Sequence, residues 1–144
     1  MSEKNFWTLI RNNLPLKMYR VENKVMKGMP DVHYIDTQGN SGWIELKFLE
    51  SWPKKVLSIG LRMNQSLWLT SYARNKGNCW VLLKVGRDYT ALIKGEEADK
   101  LFRPSRKEFF GCVLWSKKGN LSKDDWLELC GVITLSQKMP IPSV

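Results

Sequence analysis

Lys27-Gly28-Met29-Pro30-Asp31-Val32-His33-Tyr34-Ile35-Asp36 leads through Thr37-Gln38-Gly39-Asn40-Ser41 into Gly42-Trp43-Ile44-Glu45-Leu46-Lys47. Two short β-rich runs joined by a polar loop containing glycine predict a β-hairpin. Side chains alternate along a strand, so Trp43, Glu45 and Lys47 share one face while Ile44, Leu46 and Phe48 share the other. The aliphatic face suits a core. The opposite face carries a carboxylate and an ammonium about 6–7 Å apart along the strand. Asp31 stands at the mouth of the partner strand. Pro30 biases Met29 toward extended backbone, and Gly28 permits a bend that other residues resist.

Two carboxylates and a lysine converging on one hairpin suit hydrolysis of a phosphodiester. Asp31 and Glu45 offer the hard oxygens that Mg²⁺ prefers, and that ion keeps waters and draws further ligands from substrate phosphate. Such a metal lowers the pKa of a bound water and withdraws charge from the scissile phosphate. Lys47 is placed to orient the attacking water and to stabilise charge developing on the phosphoryl oxygens. Taken alone, Glu-x-Lys is an ordinary solvated pair. Its weight comes from the whole arrangement: Gly-x-Pro-Asp, strand, turn, then Trp-Ile-Glu-Leu-Lys on a second strand.

These residues resemble the PD-(D/E)XK nuclease superfamily, with Pro30-Asp31 and Glu45-Leu46-Lys47 in the motif positions. Within it, the pattern is most similar to the VRR-NUC nucleases and the archaeal-type Holliday-junction resolvases. The resemblance spans residues 3 to 85, and nothing after residue 95 takes part. It implies an α/β, restriction-endonuclease-like core: helix, mixed β-sheet with a catalytic hairpin, helix, further strands. It also implies a Mg²⁺-dependent endonuclease, with Mn²⁺ able to substitute, that acts on DNA in phage or bacterial replication, recombination or repair. Expected products carry 5′-phosphate and 3′-hydroxyl ends, and structure-selective cutting of junction or branched DNA is the finer expectation. A homodimer would suit symmetrical cutting of two strands.

The resemblance assigns roles residue by residue. Asp31 and Glu45 would bind metal, with the Leu46 backbone carbonyl as a third ligand, and Lys47 would act on the water. A glutamate on the first helix often completes such a site, and Glu3 matches it. Glu22 is the rival. A glutamine on the helix after the Glu-x-Lys strand matches Gln65. Each has an ordinary alternative: Glu3 as a first-turn acid favouring the helix dipole, Gln65 as a polar residue at the edge of a buried face.

A chain of 144 residues, 43% hydrophobic and 26% charged, has the composition of a single soluble globular domain. We divide it into a core over 2–94 and a C-terminal extension over 95–144. The net charge of +9, from 23 Lys+Arg against 14 Asp+Glu, favours a polyanionic partner, nucleic acid before an acidic membrane surface. Cys79, Cys112 and Cys130 are odd in number and lack C-x-x-C spacing, so they read as reduced thiols rather than a zinc site or disulfide framework. No signal-type run or membrane-length stretch stands out, and a cytoplasmic location in a bacterial or phage-infected cell is expected.

Apolar spacing predicts a first helix over 2–14 capped by Ser2, and a strand over 16–22 follows Pro15. Arg20, Lys24 and Lys27 form a basic flank before Pro30-Asp31. After the hairpin, Trp52 with Lys54 and Lys55 pairs an aromatic face with charge, a combination suited to nucleic acid. A tryptophan packed on its own domain is the alternative. A second helix is expected over 61–76, with Arg62 at its head completing the basic set and Gly77 as its stop. The apolar run 79–85 predicts a central strand covered on both faces, with 89–94 as its hairpin partner. Beyond lie a short helix over 96–102, a strand-like or buried segment over 109–115, a basic turn over 117–120, and a second short helix opened by Ser122 and Asp125. His33 shares a face with Ile35 and reads as structural. Two rival functions remain open: a nucleic-acid binder of the same fold without turnover, and a basic protein-interaction module.

Overall fold

The computed structural model describes residues 2–22 and 26–138, with side chains through 134. In chain order the elements are α1 (Glu3–Asn13), β1 (Lys17–Arg20), β2 (Val32–Ile35), β3 (Ser41–Leu49), α2 (Met63–Arg74), β4 (Cys79–Val85) and β5 (Tyr89–Lys94). A 3₁₀ turn (Gly95–Lys100), α3 (Arg106–Cys112), β6 (Val113–Lys118) and α4 (Lys123–Lys138) complete it. The six strands make one sheet in sequence order, antiparallel except for the parallel pair β3–β4. That exception follows from α2: adjacent parallel strands need a long crossover, which the helix supplies, whereas the antiparallel pairs do with shorter links. The expected α/β order of helix, hairpin-bearing mixed sheet, helix and further strands is the observed one.

Alternation along each strand divides the apolar residues between two layers. On one face Val81, Leu83, Val85, Ala91 and Ile93 lie under Leu57, Ile59 and Leu61 of the β3–α2 loop, Leu69 of α2 and Phe109 of α3. On the other, Val32, Ile44, Leu46, Trp80, Leu82 and Leu92 meet Phe6 and Ile10 of α1 and Trp126, Leu129 and Ile133 of α4. Every residue of β4 is buried, as a strand covered on both faces should be. Among the described residues no helix is long and apolar enough to cross a membrane.

The C-terminal residues do more than pack onto the core. β6 extends the sheet at its edge, and α4 contributes Trp126, Leu129 and Ile133 to the same layer as α1. The segment 109–115, expected to be strand-like or buried, is helical up to Cys112, with Phe109 and Cys112 buried, and strand from Val113. Ser105 accepts from the Glu108 N–H at 3.1 Å and Glu108 accepts from the Ser105 N–H at 3.0 Å, a capping box that starts α3. Phe109 and Cys112, three residues apart, then turn inward together while Phe110 stays outside. The Ser122–Asp125 box forms as expected, and the helix it opens is longer than the short one anticipated.

The end of α2 also differs in detail. Lys76, not Gly77, takes the left-handed conformation, with φ 69°. Gly77 is needed for space, because a Cβ there would run into the Tyr72 ring.

Candidate active site

β2 begins at Val32, opposite Ile44, so β3 runs on beyond the end of its antiparallel partner. The Asp31 carboxylate fills the gap by accepting the Leu46 N–H at 3.2 Å. The Asp31 carbonyl accepts the Val21 N–H at 2.7 Å, which ties the same residue to the end of β1. Asp31 is thereby held by both neighbouring strands.

Gly28 explains how the loop before Asp31 meets α2. It has φ +89°, and a Cβ there would collide with the Asn64 carbonyl. Only a glycine lets this loop lie directly on the first turn of the helix. The close approach forms a cleft of about 360 Å³ whose walls include Lys27, Asp31, Arg62, Asn64 and Gln65.

Glu45 lies next to this cleft in the middle of β3, only 1% exposed. Gln65 Nε2 donates to its Oε2 at 3.1 Å, and Lys47 Nζ stands 3.3 Å from the same oxygen. Gln65 Oε1 accepts the Arg62 N–H at 3.0 Å, which fixes the amide with its NH₂ toward Glu45. Oε1 of Glu45 is buried and has no hydrogen-bond partner among the described residues. Burial, and then the negative charge of Asp31, push the Glu45 carboxyl up to about 8; Lys47 opposes the rise and Glu3 adds to it.

The four residues expected to be catalytic, Asp31, Glu45, Lys47 and Gln65, are thus joined by contacts or by charge. Glu45 is not on a solvated strand face, because α2 covers it. The Leu46 N–H serves Asp31, as described. Glu3 is exposed in the first turn of α1, where its charge is felt at Glu45. Glu22 is exposed beyond the end of β1. His33 packs edge-on against Trp43 at 4.9 Å, a structural place.

The basic residues separate. Lys27 and Arg62 border the cleft, Arg20 is exposed at the end of β1, and Lys54 and Lys55 are exposed after β3. Lys24 lies outside the described residues. Trp52, expected to combine with Lys54 and Lys55 at a nucleic-acid surface, sits among Tyr89, Phe109 and Phe110 at 5.1, 6.1 and 5.8 Å, the packing alternative.

Asn64 escaped sequence reasoning. Its Oδ1 is buried without a hydrogen-bond partner among the described residues, at the edge of the cleft. Nothing local in Met63-Asn64-Gln65 signals this, since the contact comes from Gly28.

Among the described residues no three His, Cys, Asp or Glu side chains cluster as a metal cage. The residues present nonetheless fit a hard divalent cation of the Mg²⁺ type. Such an ion takes one or two carboxylates and leaves its other positions to water and phosphate. A Glu45 oxygen without a hydrogen-bond partner among the described residues, in a carboxyl that feels the charge of Asp31, is the kind of acceptor that this requires.

No family model matches the chain, and no curated protein matches it. Among solved structures, Hjc, a Holliday junction resolvase from the archaeal hyperthermophile Archaeoglobus fulgidus, is similar over 66% of this chain and 70% of that one. The TM-score is 0.45 and the sequence identity 19%. A likeness of that degree leaves the function to be argued from the chain's own residues.

Proposed function

We propose that this protein is a Mg²⁺-dependent nuclease that hydrolyses phosphodiester bonds of DNA, with Mn²⁺ able to substitute. The observation that carries the reading is the buried Glu45 carboxylate: one oxygen is held by Gln65 and Lys47, the other has no hydrogen-bond partner among the described residues, and the charge of Asp31 is felt at the group. Asp31 and Glu45 would hold the metal, with the Leu46 carbonyl as a further ligand. When bound, the ion supplies Lewis acidity and acidifies a coordinated water.

The chain's own residues do the rest. Gln65 keeps Glu45 in one orientation. Lys47, tethered at Glu45, presents its ammonium where an attacking water and the charge building on the phosphate can be met. Lys27 and Arg62 line the cleft with positive charge suited to the DNA backbone, while Arg20, Lys54 and Lys55 are exposed cations elsewhere on the chain. The net charge of +9 supports a polyanionic substrate. Junction or branched DNA, 5′-phosphate products and a homodimeric form are the finer parts of this proposal.

The test is cleavage of supercoiled plasmid and of a four-way junction, with Mg²⁺ and with EDTA. Metal-dependent nicking that Asp31→Ala abolishes is the expected result. Salt-sensitive binding without cleavage would indicate a non-catalytic binder, and neither binding nor cleavage would indicate a protein-interaction module.

A further inference from the structure

On the face of the sheet away from Glu45 lies a second cavity, of about 450 Å³. Lys84 of β4 and Thr90 of β5 are directly paired across the two strands and form its floor. Phe6 and Leu9 of α1 and Trp126 of α4 are its apolar walls, and exposed Arg87 stands at its rim.

The floor is chemically incomplete. Lys84 is 3% exposed, yet its ammonium makes no ion pair or hydrogen bond among the described residues. Thr90 is 1% exposed, and its hydroxyl oxygen is buried with no partner among them. Burial draws the Lys84 ammonium below the ordinary lysine range, and Asp88 only partly opposes that. The acids on the α4 side do not compensate it, because Asp125 and Glu128 face Lys117 at 4.0 and 3.6 Å. A largely buried cation that Asp88 offsets only in part, next to a buried hydroxyl without a hydrogen-bond partner among the described residues, costs stability that apolar residues would not. Its same-face neighbours on β4, Trp80 and Leu82, are apolar and buried.

We propose that this cavity binds a small organic anion, its phosphate or carboxylate head on Lys84 and Thr90 and its compact apolar body between α1 and α4. Lys84 supplies the charge, Thr90 donates a hydroxyl hydrogen bond to the head group, and Arg87 adds a second cation at the entrance. The volume is that of a small-molecule site rather than of a single ion. Apolar walls of two helices give the body of the ligand somewhere to be buried. The site is separate from the proposed nuclease centre and does not depend on that reading.

Calorimetric titration and thermal shift with octyl phosphate and with octanoate distinguish the two head groups. Octanol and inorganic phosphate serve as controls. One of the two amphiphilic anions should bind and raise Tm, with its neutral counterpart and inorganic phosphate weaker by about ten-fold or more. Lys84→Met and Thr90→Val should each weaken binding by about ten-fold or more, whereas Asp31→Ala should leave it intact. Without ligand, Lys84→Met should be as stable as the parent or more so, because it removes the uncompensated charge. The proposal is overturned if neither anion binds, if a control binds equally well, if Asp31→Ala abolishes binding, or if Lys84→Met binds undiminished. A Lys84→Met protein that unfolds would show a structural lysine and overturn the charge argument. Thr90→Val then decides whether a ligand touches the floor at all.

Discussion

Among the described residues Glu45 and Lys84 are the two charged side chains buried in the middle of the sheet, on neighbouring strands and opposite faces. Burial drives both toward their neutral forms, the carboxyl upward and the ammonium downward. Their surroundings differ. Glu45 has an amide, an ammonium and a second carboxylate around it, brought from β3, α2 and the loop before β2. Lys84 has apolar walls and a threonine whose hydroxyl has no hydrogen-bond partner among the described residues. A buried charge is thus only the beginning of a site. What collects around it decides whether the chain itself has assembled a reactive centre or left a socket for something from outside.

The largest effects are expected at Glu45 and Asp31. Asp31→Ala and Glu45→Ala should each remove detectable DNA cleavage in Mg²⁺ while circular dichroism still shows a folded protein, because a lost ligand removes both Lewis-acid and water-activating roles. Lys47→Ala should cost about 10²–10³-fold in turnover, roughly 3–4 kcal/mol of barrier, with far less effect on DNA affinity. Lys47→Arg should be similarly impaired, since a planar guanidinium cannot take the place of a compact ammonium. Near-parental turnover of Lys47→Arg, measured under single-turnover conditions, would reduce the lysine to diffuse charge.

A stability measurement sharpens the contrast next. The Glu45 carboxyl is raised from 4.5 to about 8, so at intermediate pH the folded protein keeps a proton that the unfolded chain has released. This stabilisation is fully present below pH about 4.5 and is lost as pH rises through about 8. Metal-free protein should therefore lose Tm over that window, and Glu45→Gln, unable to titrate, should lack this component of the slope. Equal pH dependence in the two proteins would show that Glu45 carries no such proton. The smallest effect concerns the amide. Gln65→Leu leaves Glu45 Oε2 short of a donor and the Arg62 N–H uncapped, which should cost about 1–3 kcal/mol in denaturant unfolding. A neutral result would mean that Gln65 does not hold the carboxylate.

How much of this could be read from the chain depends on how local each determinant is. The hairpin, Asp31 at its mouth and the Glu45/Lys47 spacing are matters of strand alternation and turn composition, and they appear as expected. So does the fully buried β4. The burial of Glu45 was out of reach, because it depends on α2 closing over the strand. Gly28 was legible as a bend but not as the contact surface for Asn64, which is far away in sequence. The Ser105/Glu108 box was present in the sequence, yet the apolar content of the next residues argued for a strand or buried segment, and local capping won. Lys84 carried its own signal, a single cation inside the apolar run from Cys79 to Val85. It became meaningful once alternation put Thr90 beside it and two helices left space above.

The bond between the Asp31 carboxylate and the Leu46 N–H makes one backbone amide an indicator of the site's state. This proton belongs to the residue between Glu45 and Lys47, and its acceptor is the side chain proposed to meet a cation. Electron density that Asp31 lends to a cation is withdrawn from the amide. In an isotope-labelled sample, the Leu46 resonance and its rate of exchange with solvent deuterium would therefore follow occupancy at the carboxylates. Such a readout needs neither substrate nor turnover, and it would work equally well in a protein whose lysine had been removed.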